Sequence, residues 1–370
     1  MKSHAFKLLI LTITLSIGMT SCDSKSKTTE NHYSNNDPLR ILNNEFEDAP
    51  SFILSEHPDT LIVFSDVYPV GVRIFKDNII IKATKTDTCI NVYDRNNLSL
   101  KWKTGVVGNG PEDVLTPTFF ASISPDSIGR FQMADVSDNS HIYLDLDEKK
   151  LSKSRFPNYI GYCSSINLSD QYAVAARNIQ ECMFFIYDKS KKETLPVLFD
   201  IDCGESIKSK LGHQIGYMLS ALTYANAEKG RIIVPHYFFD IYSVYDYSGK
   251  CLRKISLSSN DFNESAAAEK LIDNESYIGF LPSYASFEAC YLMRKFASSP
   301  QADPEYYQII KTDWDGIPMA EYRLSVHISG DFCINDNKLY GISKITDPES
   351  EDYALLCWNL NLANHILSVP

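Results

Sequence analysis

Tyr242–Leu257 reads YSVYDYSGKCLRKISL, and this stretch decides the fold. An aromatic and β-branched run ends at Asp246, Ser248-Gly249 supplies a tight turn, and a second run starts at Cys251. Such a pattern is a β-hairpin: the runs suit a pleated, half-buried surface, and glycine supplies the backbone freedom of the turn. The same layout recurs five times. The other copies are INVYDRNNLSLKW from Ile90, HIYLDLDEKKLSKSRF from His141, FFIYDKSKKETLPVLF from Phe184, IIKTDWDGIPMAEYRL from Ile309 and LLCWNLNLANHILSV from Leu355.

In every copy an acid or amide closes the first run: Asp94, Asp145, Asp188, Asp246, Asp313 and Asn359. A short side chain there can accept the backbone N–H groups of the turn that follows. The markers are 51, 43, 58, 67 and 46 residues apart. Before each hairpin lies a further short apolar run: Ile79–Ala83, Arg130–Ala134, Tyr172–Ala176, Arg231–Pro235, Cys290–Arg294 and Lys338–Ser343. Less regular runs come earlier still, such as Val70–Phe75 and Phe119–Ile123. Four short strands per unit of this length make a propeller blade. The predicted fold is therefore all-β: a six-bladed propeller of four-stranded antiparallel blades. A pair of β-sandwiches is the rival, and six similar units in series argue against it.

An open array would leave bare strand edges. Asp59–Asp66, reading DTLIVFSD, is a spare strand ahead of the first unit. It is expected to close the ring by pairing with the last blade near His365–Val369. Two spacings carry excess length, in Cys203–Gly230 and in Ser258–Ala289. The second includes Glu264–Ile272, a run of good helix formers. Insertions in a ring gather at one face, as binding loops or as tolerated decoration.

The N-terminus has a separate logic. Lys2 and Lys7 precede an apolar run, Leu8–Ile17, and Met19-Thr20-Ser21 leads to Cys22. A core of about ten residues is too short to cross a bilayer of about 30 Å, so it reads as a secretory signal. A cysteine directly after such a core fits a lipidation site, where the thiol takes a diacylglyceryl group. The alternative is an ordinary secretory signal with a chance cysteine. The expected division is a signal peptide over 1–21, a lipidated polar tether over 22–45, and the propeller over 46–370. The tether begins Asp23-Ser24-Lys25-Ser26-Lys27 and has no apolar period with which to bury surface. The expected location is the cell envelope, lipid-anchored on the periplasmic face or the cell surface.

The net charge of −12 argues against a nucleic-acid partner, which needs basic surface. Nine cysteines include Cys22, and the other eight show no C-x-x-C and no metal spacing. An even number in an exported chain permits disulfides. Several lie inside apolar runs, where they read as small buried hydrophobes.

The lipobox-like start, the polar tether, the six units and the segment Gly108-Asn109-Gly110-Pro111-Glu112-Asp113-Val114 together resemble the TolB-like six-bladed propeller lipoproteins of Bacteroidetes. Those proteins carry a Gly-x-Gly-Pro-Gly-Glu-aromatic turn after the first blade. Gly108, Gly110 and Pro111 match it. Glu112, Asp113 and Val114 depart from it. The resemblance implies the fold and the envelope location and implies no reaction. By their own chemistry, Gly108, Gly110, Pro111, Glu112 and Asp113 read as a loop at a blade junction. Two glycines would allow positive φ and the proline fixes the next φ. Such a loop can also present backbone amides to an anion.

No G-x-S-x-G, H-E-x-x-H, Walker A or EF-hand loop is present. Ser24-x-x-Lys27, Ser137-Asp138-Asn139 and Lys103-Thr104-Gly105 mimic the elements of penicillin-recognising enzymes. They stand in the wrong order and in the wrong context. The eight histidines are scattered, with no pair at metal spacing, and acidic clusters such as Asp145–Glu148 fall in turns. No catalytic residue, metal ligand or cofactor is predicted. The expected function is a binding or scaffolding module, anchored to a membrane through Cys22, that engages a protein or glycan of the envelope. The alternative is a metal-dependent propeller hydrolase or lyase acting on a small exported substrate, its ligands drawn one per blade without local spacing.

Overall fold

The computed structural model describes residues 49–108, 110, 112–120, 129–156, 165–179, 182–199, 205, 209–210, 219–257, 268–269, 277–297, 306–345, 352–362 and 364–365. Cys22, the signal, the tether and Pro111 lie outside the described residues, as does about half of the two stretches of excess length.

The chain forms a six-bladed propeller. Blade 1 is the meander β3 (Tyr68–Phe75), β4 (Asn78–Thr84), β5 (Thr88–Asp94) and β6 (Leu100–Val106). Blade 2 is β7 (Pro117–Phe119), β8 (Phe131–Asp135), β9 (Ser140–Asp145) and β10 (Lys150–Arg155). Blade 3 is β11 (Ser165–Leu168), β12 (Tyr172–Ile179), β13 (Cys182–Asp188) and β14 (Glu193–Leu198). Blade 4 is β15 (Tyr224–Asn226), β16 (Arg231–Pro235), β17 (Ile241–Tyr245) and β18 (Cys251–Ser256). Blade 5 starts with β19 (Tyr277–Phe280) and β20 (Tyr284–Ala285), both paired to β21 (Cys290–Ala297). It continues with β22 (Tyr306–Thr312) and β23 (Pro318–Leu324). Blade 6 is β24 (Cys333–Asn335), β25 (Lys338–Lys344) and β26 (Tyr353–Asn359), and its fourth strand is β2 (Asp59–Phe64).

The spare strand thus closes the ring, but against a different partner. β2 pairs antiparallel with β26, Asp59 opposite Cys357 and Phe64 opposite Tyr353, not with residues near 365. The sixth hairpin is corrected for the same reason. With β2 on the outer edge of β26, the chain after Asn359 has no edge left there. It makes a 3-10 turn over Leu360–Leu362 and leaves the blade as β27 (Asn364–His365). β27 pairs antiparallel with β1 (Ser51–Ile53), and β1 lies parallel to β23 on the outside of blade 5. β1 and β27 therefore extend blade 5, while β2 completes blade 6. Residues 366–370 lie outside the described residues.

The turn acids act as their chemistry requires. Asp94 accepts the N–H groups of Asn96 and Asn97, Asp145 those of Asp147 and Glu148, and Asp188 those of Ser190 and Lys191. Asp246 accepts from Ser248 and Lys250, Asp313 from Ile317, and Asn359 from Asn361. Five aspartates and one asparagine, one per repeat, thus accept backbone N–H groups of the turn that follows in all six units.

The core lies between blades. Ile79 and Ile81 of β4 face blade 6, while Ile80 between them faces blade 2. Ile232 and Val234 of β16 face blade 3, while Ile233 faces blade 5. Successive side chains of a strand point to opposite faces, and here both faces are covered. That explains near-continuous apolar runs in place of alternation. The described cysteines, Cys89, Cys182, Cys251, Cys290, Cys333 and Cys357, are all free thiols. Burial pushes the Cys89 thiol up to about 11 and the Cys333 thiol up to about 12, so both stay protonated and inert.

The stretches Cys203–Gly230 and Ser258–Ala289 contain connections from the outer strand of one blade to the inner strand of the next. Residues 199–223 link β14 to β15, and residues 257–276 link β18 to β19. They leave from one face of the ring. The opposite face carries the hairpin turns capped by Asp94, Asp145, Asp188, Asp246 and Asp313 and the turn capped by Asn359.

Candidate functional site

The first strand of each blade lies innermost, as contacts between first strands and their flanking residues show. Gly71 of β3 bridges Asp331, two residues before β24. Asn167 of β11 donates to the Thr223 carbonyl beside β15 at 2.8 Å. The Ser283 N–H donates to the Tyr224 hydroxyl at 2.8 Å, joining blades 4 and 5. The rings of Tyr284 and Phe332 lie 6.5 Å apart, joining blades 5 and 6.

Arg73 of β3 crosses this centre. Only 2% of it is exposed, an unusual degree for a guanidinium. Its Nη1 donates to the carbonyls of Val72 (2.9 Å) and Phe332 (2.8 Å), and its Nη2 makes a long contact of 3.4 Å with the Phe120 carbonyl. Blades 6, 1 and 2 are joined by one side chain. The guanidinium carbon lies 4.9 Å from the Phe119 ring centre and 5.4 Å from that of Tyr284, so two aromatic faces also stabilise the charge. Among the described residues no carboxylate pairs with it, and its Nε–H has no acceptor. Arg294 is the contrast, because its guanidinium grips both carboxylate oxygens of Asp240 between blades 4 and 5.

Beside Arg73 stands a second charged pair. Lys82 Nζ meets Asp331 Oδ2 at 3.3 Å, with about a seventh of each side chain exposed (14% and 17%). Lys82 Nζ also lies 5.4 Å from the Phe119 ring centre, so Arg73 and Lys82 share that ring. Gly71 pairs with Lys82 across β3 and β4. A Cβ at Gly71 would come within 3.1–3.2 Å of Phe119 and the Asp331 side chain. Glycine is needed there for close approach. Burial raises the Tyr284 and Tyr224 hydroxyls well above the usual tyrosine range, with Arg73 opposing the shift at Tyr284 and Asp331 adding to it at Tyr224. Both phenols stay protonated. Among the described residues the centre therefore combines Arg73 and Lys82, the Asp331 carboxylate and an aromatic wall.

The glycine-rich loop lies elsewhere, between β6 and β7 at the junction of blades 1 and 2. The Gly110 N–H donates to Asp113 Oδ2 at 2.7 Å. A Cβ at Gly110 would stand 2.8 Å from that oxygen, and one at Gly108 would collide with it. Neither glycine has positive φ, so close approach to the Asp113 carboxylate, not a left-handed backbone, is why glycine stands there. The loop's base is pinned by Val114 N–H to the Val106 carbonyl and by Lys153 Nζ to the Asp113 carbonyl at 2.6 Å. Lys153 is itself buried against Asp135 and Asp138. The Gly110 amide is thus given to the chain's own carboxylate. Glu112 flanks this contact.

Among the described residues no three of His, Cys, Asp and Glu gather as a metal set would. His141 is packed among Phe120, Tyr143 and Phe156, His236 is buried beside Phe239, and His327 lies against Tyr307. His213 lies outside the described residues. Sequence reasoning missed Arg73, Lys82 and Asp331, which are separated by up to 258 positions and share no local motif. The sole signal was an arginine and a glycine inside the apolar run Val70–Phe75.

No family model matches the chain, and no curated protein matches it in sequence. Solved structures share the layout remotely. A member of the DUF4221 family from Bacteroides vulgatus aligns at TM-score 0.47 and 12% identity, over 80% of this chain and 97% of that one. A protein named as exported from Bacteroides fragilis aligns at TM-score 0.46 and 12% identity, over 84% and 99%. Virginiamycin B lyase from Staphylococcus aureus aligns at TM-score 0.44 and 9% identity, over 80% and 98%.

Proposed function

We propose that this chain is a lipid-anchored envelope protein of the TolB-like propeller kind, whose ring serves as a binding module with its site at the axis. The observation that carries the binding reading is Arg73. A metal-dependent propeller enzyme would place a divalent ion where this guanidinium lies. A double charge about 5 Å from a guanidinium meets about 7 kcal/mol of repulsion at an effective dielectric near 20. The axial carbonyls of Phe332 and Val72 are already engaged by a tethered cation. The site is thus suited to holding a ligand through charge and aromatic surface. The anchor reading rests on the order of basic start, short apolar core and Cys22.

Two measurements test this. Replacing Cys22→Ser in the full chain should move it from the membrane fraction to the soluble fraction, and unchanged membrane retention would refute lipidation there. Titrating the purified chain with Ca²⁺, Mg²⁺ and Zn²⁺ should give no saturable binding below about 1 mM. Micromolar binding of any of them would overturn the binding-module reading in favour of the metal-dependent one.

A further inference from the structure

Among the described residues around Phe119, charged donors outnumber acceptors. Arg73 and Lys82 bring two positive charges, and Asp331 brings one negative charge. The Arg73 Nε–H is buried without an acceptor among the described residues. Buried donors of this kind are normally satisfied, because leaving one unmade costs about 1–3 kcal/mol. Lys82 uses one of its three N–H groups, on Asp331 at 3.3 Å, a distance longer than a strong charge-assisted bond. These groups surround one ring, Phe119, and the pair Lys82–Asp331 is the part that solvent reaches.

We propose that this axial site binds a small carboxylate with a single negative charge; this rests on the reading of the axis as the binding site. Lys82 makes the first contact at the partly exposed rim. Arg73 supplies the field from below, and its Nε–H is the second donor for an oxygen that reaches past Phe119. The single charge follows from the balance of the cluster, one net positive with Asp331 ionised. A phosphate dianion would overshoot it. Asp331 tunes the site by repelling the ligand and by holding Lys82 in place when no ligand is bound. Gly71 lets Phe119 and the Asp331 side chain pack directly against β3, since a Cβ there would stand 3.1–3.2 Å from both.

The test uses the intact chain and thermal unfolding, with sodium acetate, sodium glucuronate and inorganic phosphate as probes and sodium chloride at matched ionic strength as control. A carboxylate at ten times its dissociation constant should raise Tm by about 2 °C over the chloride control. Response to acetate and glucuronate alike supports the site and identifies any small carboxylate as sufficient. Response to glucuronate alone supports it and identifies an acidic sugar as the source. Response equal to chloride, or to phosphate alone, overturns it. Lys82→Met should weaken carboxylate binding about tenfold, while Asp331→Asn should strengthen it about tenfold, the effect of a unit charge about 7 Å away in a half-wet site. If Lys82→Met fails to fold, Asp331→Asn still decides, because a purely structural pair would not yield tighter binding. Absent carboxylate binding, with the divalent ions also silent, sinks the carboxylate proposal alone. Micromolar divalent binding sinks the binding-module reading instead.

Discussion

Arg73→Met is the substitution whose effect the axis defines most sharply. Methionine keeps the length and apolar stem of the side chain and removes the charge. Lost with it are the bonds to the Phe332 and Val72 carbonyls at 2.8 and 2.9 Å, each charge-assisted and contributing about 1.5–3 kcal/mol. The 3.4 Å contact to the Phe120 carbonyl counts for little. The stacking on Phe119 and Tyr284 adds about 0.5–2 kcal/mol per ring. Against these stands relief from burying an unpaired charge, several kcal/mol by itself. The difference is a net loss of about 3 kcal/mol. For a domain of the expected span 46–370, unfolding carries an entropy of about 0.7 kcal/mol/K, so Tm should fall by about 4–5 °C. Differential scanning calorimetry on the lipid-free chain reads this directly. Arg73→Lys should fall part of the way, because one ammonium lacks the fork that reaches the Val72 and Phe332 carbonyls together. A Tm within 1 °C of the parent, or above it, would refute the reasoning: the guanidinium would then be a tolerated burden and not the link between blades.

Two further outcomes follow from geometry on the same face and on the opposite one. Gly330 has φ of +85°, and a Cβ there would collide with the Val70 carbonyl, which accepts the Asp331 N–H at 3.1 Å. Gly330→Ala should cost about 2–4 kcal/mol, read as a lower urea midpoint at unchanged slope; an unmoved midpoint would mean that the close contact is not kept in solution. Backbone N–H groups hold Asp94, the Ser190 hydroxyl and backbone amides hold Asp188, and Lys153 holds Asp138, all below the usual carboxylate range. Folded values lower than unfolded ones mean stabilisation that is full above about pH 4 and lost as pH falls through the folded values. Asp94→Asn with Asp188→Asn should therefore flatten the decline in stability between about pH 4 and pH 2, and an unchanged slope would remove these turns from the acid response.

Local chemistry was legible in the linear chain, and its limits are equally physical. Asp246 with Ser248-Gly249 announced a hairpin because turn geometry is set within four residues. Repetition of that unit from Ile90 to Leu355 announced six blades. The spare strand Asp59–Asp66 announced closure because a bare edge must be covered. Its partner was not legible, since β26 and the segment near His365 are both apolar and only competition for one edge separates them. The reason for Gly108 and Gly110 was likewise hidden, as nothing local says that the Asp113 carboxylate folds back onto them.

The sequence by itself determined the strands, the turns, the repeat count and the short apolar start before Cys22, all properties of neighbours along the chain. Only the tertiary structure decided that Arg73, Lys82 and Asp331 meet around Phe119. Ring closure brings the first strands of blade 1 and blade 6 together across 258 positions. A charge balance formed that way belongs to the axis and has no counterpart in any single stretch of chain.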